Sequence, residues 1–287
     1  MRFPQARAAD SRRWQRTLAG LLLAGLAGSA AAQAPLRVLY PAAESAYDAR
    51  QDYPRKVLEL ALAHAGRPYV LRGSTVPANQ KRALRMLATG NGIDVVWTVP
   101  TAVRERELRT IPFAIDRGLI GWRVLLVRAG TEQRFAGIDD ARGLRAMRGA
   151  QGQDWPDLEI LRAAGLGVDG AHTYDGLFAM LARGRIDYFP RSVMEIGDEL
   201  ARRPGQGLAI EPRLLLRYPS ALQFFVRRDN TALAGAIALG LARAEADGSL
   251  DRLFHATYDE VLAPLRLDSR TTIALRNPLW SASRGKP

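Results

Sequence analysis

The stretch IDVVWTVPTAVRERELRTIPFAIDRGLIGWRVLLV, residues 93–127, decides how this chain folds. An apolar run ends at Trp97, a short loop reaches Thr101, and Arg104 follows. Pro112 and Phe113 come next, and a second apolar run passes through Trp122 to Val127. Short apolar runs bounded by Pro and Gly read as buried strands.

Working outward, a strand over Leu36–Tyr40 leads to a helix opened by Asp52 and Pro54. Its apolar face is Val57, Leu58, Leu60 and Ala61, and Gly66 stops it. A strand near Tyr69–Leu71 and a helix from about Ala78 to Thr89, stopped by Gly90 and Gly92, complete this part. Strands alternating with helices of this length imply an α/β architecture, a mostly parallel sheet covered on both faces. The pattern then restarts. Leu144–Ala150 reads as a strand, and Asp154 as the N-cap of a helix running from Pro156 to Ala164. A helix from Tyr174 to Arg183, a strand Ile186–Phe189 and a strand Leu222–Val226 follow. The rest is helical, Thr231–Ala246 and Leu250–Tyr258, broken at Gly248. The restart predicts two lobes rather than one large domain.

The first 34 residues carry five arginines and one aspartate, then a Gly- and Ala-rich apolar run from Leu18 to Ala32, then Ala32-Gln33-Ala34. Basic, apolar and small-residue segments in that order read as an export signal covering residues 1–34, which predicts a periplasmic protein without a lipid anchor. The run is too short and too broken by glycine for a membrane span. The chain has no cysteine, which excludes disulfides, thiol nucleophiles and cysteine-ligated metals. Its net charge of +12 falls to +8 once the leader's five Arg and one Asp are removed. Arginine supplies nearly all of it, and no dense basic block marks a nucleic-acid footprint.

Aspartate, strand, Thr101, Arg104, Pro112-Phe113 and strand, in that order, resemble the first lobe of periplasmic solute-binding proteins of the polar amino-acid type. These are members of solute-binding protein family 3, with the type II periplasmic binding fold. The element order along the mature chain is similar too, although individual motifs are loose and the chain reads as a divergent member. The resemblance implies a discontinuous first lobe, residues 35–126 and 225–287, and a second lobe, 127–224. Gly121–Val127 and Leu222–Val226 would be a two-strand hinge. It also implies a monomer that closes on a small polar solute. The closed form would dock on an ABC-type permease or on a sensor ectodomain in the inner membrane.

Open α/β sheets bind ligands beyond the carboxyl ends of their strands, which points to the loops at 41–53, 97–104, 150–156 and 190–195. In the family the arginine three residues after the threonine holds the ligand carboxylate, a role that falls on Arg104 beside Thr101. A guanidinium suits it through two parallel hydrogen bonds. The plainer reading makes Arg104 one of three solvated arginines on an exposed helix, with Arg106 the fallback anchor. Tyr47, Tyr53, Trp97 and Trp155 are candidate aromatic walls. For Trp97 core packing is an equal alternative, and Trp155 could instead staple its helix.

The second lobe departs from the family pattern. Where a serine or threonine usually meets the ligand carboxylate, this chain has Gly152-Gln153-Asp154-Trp155. Where an aspartate usually meets the ammonium, it has Arg191-Ser192. Arg104 and Arg191 facing one cleft would favour separated anionic groups. Glu195 could restore a cation site from the next turn, and Arg191 could instead clamp Glu195 or Asp198.

Only His64, His172 and His255 are available for histidine chemistry, none beside an evident nucleophile, and the common nucleotide, hydrolase and zinc motifs are absent. A binding protein without cofactor or metal is expected. A dehydratase or lyase on the same scaffold, with Glu44, Glu195 or Asp154 as acid, is the enzymatic alternative.

Overall fold

The computed structural model describes residues 34–280. The expected leader lies outside the described residues except for Ala34. Among the described residues no helix is long and apolar enough to cross a membrane.

The first layer starts with β1 (Leu36–Ala42) and β2 (Tyr69–Pro77), parallel and paired from Leu36 opposite Tyr69. Helix α1 (Asp52–His64) joins them and buries Tyr53, Pro54, Val57, Leu58, Ala61 and Leu62, one stripe at helical spacing. Helix α2 (Gln80–Thr89) starts where Asn79 accepts a hydrogen bond from Arg82 N at 3.0 Å and stops at left-handed Gly90. Strand β3 (Val95–Thr98), helix α3 (Ala102–Glu107) and strand β4 (Leu108–Ile111) follow, the last unexpected from sequence. Asp94 couples β3 to β1: its Oδ2 accepts from Leu39 N at 2.9 Å, and its N–H donates to Leu39 O at 2.8 Å.

The second layer is a seven-stranded sheet built on β5 (Trp122–Arg128), buried from Arg123 through Val127. Around it lie β6 (Gly149–Gly152), β7 (Val168–Ala171), β8 (Tyr188–Ser192), β9 (Leu208–Ile210), β10 (Leu214–Arg217) and β12 (Thr271–Ala274). Pairs β6–β7, β6–β8 and β10–β12 are parallel, while β5 runs antiparallel to β8, β9 and β10. Helices α4 (Ala141–Leu144), α5 (Pro156–Ala163), α6 (Tyr174–Ala182) and α7 (Ile196–Ala201) flank it. Strand β11 (Gln223–Arg227) returns to the first layer between β3 and β4, antiparallel to both. Helices α8 (Thr231–Ala246) and α9 (Ser249–Leu262) then run in succession.

The two expected hinge strands begin where the chain passes between layers and then belong to one sheet each, β5 to the seven-stranded and β11 to the three-stranded one. Two expectations change. The C-terminal segment does not all rest on the first layer, since β12 pairs with β10. The strand expected at Leu144 begins only at Gly149, because Asp140 caps a helical turn by accepting from Gly143 N at 3.0 Å.

The chain passes between layers at two points that touch. A Cβ on Gly121 would lie 2.1 Å from Tyr218 O, and Tyr218 N–H donates to Gly121 O at 3.1 Å. Buried Asp116 accepts from Ile120 N and from Leu222 N, each at 2.8 Å, tying the two passages together. Burial raises its pKa to about 6, against the backbone donors that favour the carboxylate. A carboxyl group whose folded pKa exceeds its ordinary 3.8 stabilises the fold fully below that value. That contribution is lost as pH rises through about 6. Asp116→Ala strands two buried N–H groups at about 1–3 kcal/mol each. Urea midpoints of variant and wild type are therefore expected to differ most near pH 4 and less near pH 7; a gap that widens with pH would contradict this.

Candidate functional site

A cavity of about 230 Å³ lies where strand ends of both layers converge. From the first layer come Glu44 and Arg50 of the loop after β1, Gln80 at the start of α2, and Trp97, Thr98 and Val99 at the end of β3. From the second come Arg123 of β5, Trp155 and Asp157 at the start of α5, Arg191 of β8, and Glu195 and Glu199 beyond it. Helix α9 adds Thr257, Tyr258 and Val261.

Of the residues expected from sequence, Glu44, Tyr53, Trp97, Trp155, Arg191 and Glu195 line this cavity; Tyr47, Thr101, Arg104, Gln153 and Asp154 do not. Tyr47 is 50% exposed and its ring lies 5.2 Å from the Arg203 guanidinium, away from the cavity. Gln153 is exposed, its N–H bonded to Ala171 O at 2.9 Å. Thr101 caps α3, its Oγ1 accepting from Arg104 N at 3.3 Å. Asp154 does not cap α5; Trp155 takes the N-cap position without a side-chain bond, because Pro156 fixes the first helical residue. Asp154 instead sits 3.6 Å from Lys81 Nζ.

Arg104 is not a solvated helix arginine: it is buried, while Arg106 is exposed. Its Nη1 donates to Thr98 Oγ1 at 2.8 Å and Val99 O at 2.7 Å, and its Nη2 to Gln80 Oε1 at 2.6 Å. Gln80, Thr98 and Val99 all line the cavity, so the guanidinium stands directly behind its wall. All three acceptors are neutral. Burial therefore lowers its pKa to about 10, with Asp157 opposing only in part.

Arg191 behaves oppositely. Its Nε donates to both oxygens of Glu199, at 3.0 and 2.8 Å, and its Nη2 to Glu195 Oε2 at 2.8 Å and Glu199 Oε1 at 2.5 Å. Burial would lower its pKa, but Glu195 and Glu199 together raise it. Its charge is consumed by the protein, so it is a clamp on Glu195 and Glu199, not Asp198, and offers no second anion anchor. Tyr174 Oη completes the clamp with a 2.8 Å bond to Glu199 Oε1.

Trp155 is already engaged, with Arg50 at 5.2 Å and Arg191 at 5.1 Å from its ring. A Cβ on Gly152 would meet that ring at 2.5 Å, so only glycine allows Trp155 this position. Trp97 contacts Tyr40 and Phe224 at centroid distances of 6.0 and 6.2 Å, uniting both readings of it: core packing and cavity wall.

The sequence reading missed Arg50 and Arg123. Arg50 is held by Asp48 Oδ1 at 2.7 Å and Glu44 Oε1 at 2.9 Å and stacks 4.2 Å over Tyr174. Arg123 pairs with Asp157 at 2.6 Å and lies 3.6 Å from Glu195. Tyr218 Oη bonds both members of that pair. Arg123 left a readable signal: a charge inside the apolar run Trp122–Val127 requires a buried partner.

No family model and no curated protein matches this chain. Solved structures do. An ancestral arginine-binding protein bound to arginine is 16% identical over 79% of this chain and 99% of that one, with a TM-score of 0.59. A periplasmic His/Glu/Gln/Arg/opine family-binding protein from Silicibacter pomeroyi in complex with lysine is 13% identical over 78% and 97%, with a TM-score of 0.59. A histidine kinase sensor domain with similarity to periplasmic binding proteins is 14% identical over 78% and 96%, at 0.57. At such identities the likeness is one of architecture: this chain has the two-lobe α/β fold of the periplasmic binding proteins.

Proposed function

We propose that the protein is a periplasmic receptor that closes its two lobes on one small polar solute bearing a carboxylate, with Arg104 as the anion anchor. The observation that carries this reading is the surroundings of Arg104. Arg50, Arg123 and Arg191 each bind a carboxylate of the protein, whereas the buried Arg104 guanidinium meets only neutral acceptors. A buried cation without a counter-ion is costly, and a ligand carboxylate exchanging with Gln80 Oε1 would relieve that cost. The cavity volume, below the ~300–1,000 Å³ common for drug-sized ligands, suits a small solute.

Closure follows from contacts that both walls make to one ligand, since a ligand shifts an equilibrium only by its differential affinity. Transport through a permease is the favoured role; the sensor-domain neighbour supports signalling as the second. The binding proteins among the neighbours support stoichiometric binding over turnover.

Thermal shifts across a panel of amino acids, dicarboxylates and amines test the reading. A ligand at a hundred times its dissociation constant adds about 2.7 kcal/mol, which is roughly 5–10 °C at this size. Arg104→Ala is expected to abolish that shift; an undiminished shift would remove Arg104 from the site.

A further inference from the structure

The loop between β1 and α1, residues 43–51, belongs to the first layer by sequence but is fastened to the second. Its shape is set from inside. Buried Asp48 accepts from Glu44 N and Arg50 N, each at 3.1 Å, and from Arg50 Nε at 2.7 Å. A carboxylate that holds two backbone donors and the loop's own arginine fixes where that arginine points.

Two side chains of the loop then cross to the other layer. The Arg50 guanidinium lies 4.2 Å from the centre of the Tyr174 ring on α6 and 5.2 Å from that of Trp155 at the start of α5. Tyr47 lies 5.2 Å from the guanidinium of Arg203, which is itself buried, packed 3.7 Å from Phe178 and paired with Asp175 at 2.6 Å. The shallow pocket that Tyr47 borders is otherwise lined by the second layer, with Asp175, Ala179 and Gln206. Two ion pairs span the same gap, Asp52 with Arg202 at 3.2 Å and Lys81 with Asp154 at 3.6 Å. Both are partly exposed and contribute little. Arg50, with 16% of its side chain exposed, makes the stronger contact, because a cation on an aromatic face gains more where water is excluded.

All these contacts join one protein group to another. We propose that the loop is a strap that holds the two layers closed by itself, with Arg50 and Tyr47 as the residues that set the resting closure and, through it, the affinity. This rests on the receptor reading above and adds to it. A solute deepens a bias that the strap already sets, and its apparent affinity rises with the fraction of protein already closed. Glu44, Ala49, Arg50 and Gln51 also line the cavity, so the strap lifts to let a solute in or out.

The chain has no cysteine, so a spin-label pair can be introduced without removing any. Ala88→Cys on α2 and Ala163→Cys on α5 are exposed positions near the far ends of helices whose starts meet at Lys81 and Asp154. Pulsed electron-resonance distances between the labels, with no solute added, are expected to give a narrow population at the separation of the two sites in the structure. Tyr47→Ser should lower the closed-to-open ratio about two- to fivefold, and Tyr47→Phe, which keeps the ring, should leave it unchanged. Arg50→Lys keeps a charge for Asp48 but loses the flat guanidinium, and combined with Tyr47→Ser it should lower the ratio about tenfold or more. Tyr47 is half exposed, so Tyr47→Ser keeps the fold and carries the test should Arg50→Lys not. A parent protein that is mostly open, or a closed one that these variants leave unchanged, overturns the strap. The receptor reading is judged separately, by whether Arg104→Ala abolishes the thermal shift of a bound solute.

Discussion

Glu199→Ala is expected to lower stability by about 3–5 kcal/mol, the usual cost of leaving one member of a buried ion pair alone. Arg191 and Glu199 are each 1% exposed, and Glu199 receives both Arg191 Nε and Tyr174 Oη. Truncation would leave the guanidinium with Glu195 alone and strand a buried tyrosine hydroxyl. At this size the melting temperature should fall by roughly 10 °C or more. Replacing the pair together, Arg191→Met with Glu199→Leu, removes the charge imbalance and should cost less than Glu199→Ala alone. If the double variant melts lower than the single one, the pair contributes net stability rather than being a charge the fold must keep neutral.

Gly240→Ala is expected to be the most damaging single methyl addition in the first layer. A Cβ there would lie 1.8 Å from Ala61 O and 2.5 Å from Ala61 C, so α8 and α1 could coexist only after moving apart. Both colliding atoms belong to helix backbone, which cannot rotate aside as a side chain can, and a loss of about 3 kcal/mol follows. Gly235 in the same helix is the internal control. It has nothing within 4 Å of its would-be Cβ, and Gly235→Ala should stabilise by roughly 0.5–1 kcal/mol. Melting curves of the two variants should therefore diverge in opposite directions from wild type. Equal shifts would mean that the α1–α8 contact relaxes freely.

Much of the fold was legible because its signals are local. Gly90 and Gly248 sit at helix ends, and of the expected apolar face of α1, Val57, Leu58 and Ala61 are buried while Leu60 is only half-buried. The short strands β4, β7, β9, β10 and β12 carried no such signal; each has only three or four residues, and its identity comes from the partner it pairs with. The site was legible in type rather than in detail. Arg104 and Trp155 could be placed near strand ends, whereas Tyr47 and Gln153 fell outside, because a loop's path decides which way its side chains face.

The sequence by itself determined the alternation of strands and helices, the restart after residue 127 and hence a two-lobe α/β protein, because hydrophobic period and capping act over a few residues. Only the tertiary structure decided which charges meet. Arg123 finds Asp157 thirty-four positions away, Arg50 stacks on Tyr174, and Arg104 finds only neutral acceptors while Arg191 finds two carboxylates. Electrostatic pairing depends on distance in space and on desolvation, and neither is encoded in local spacing.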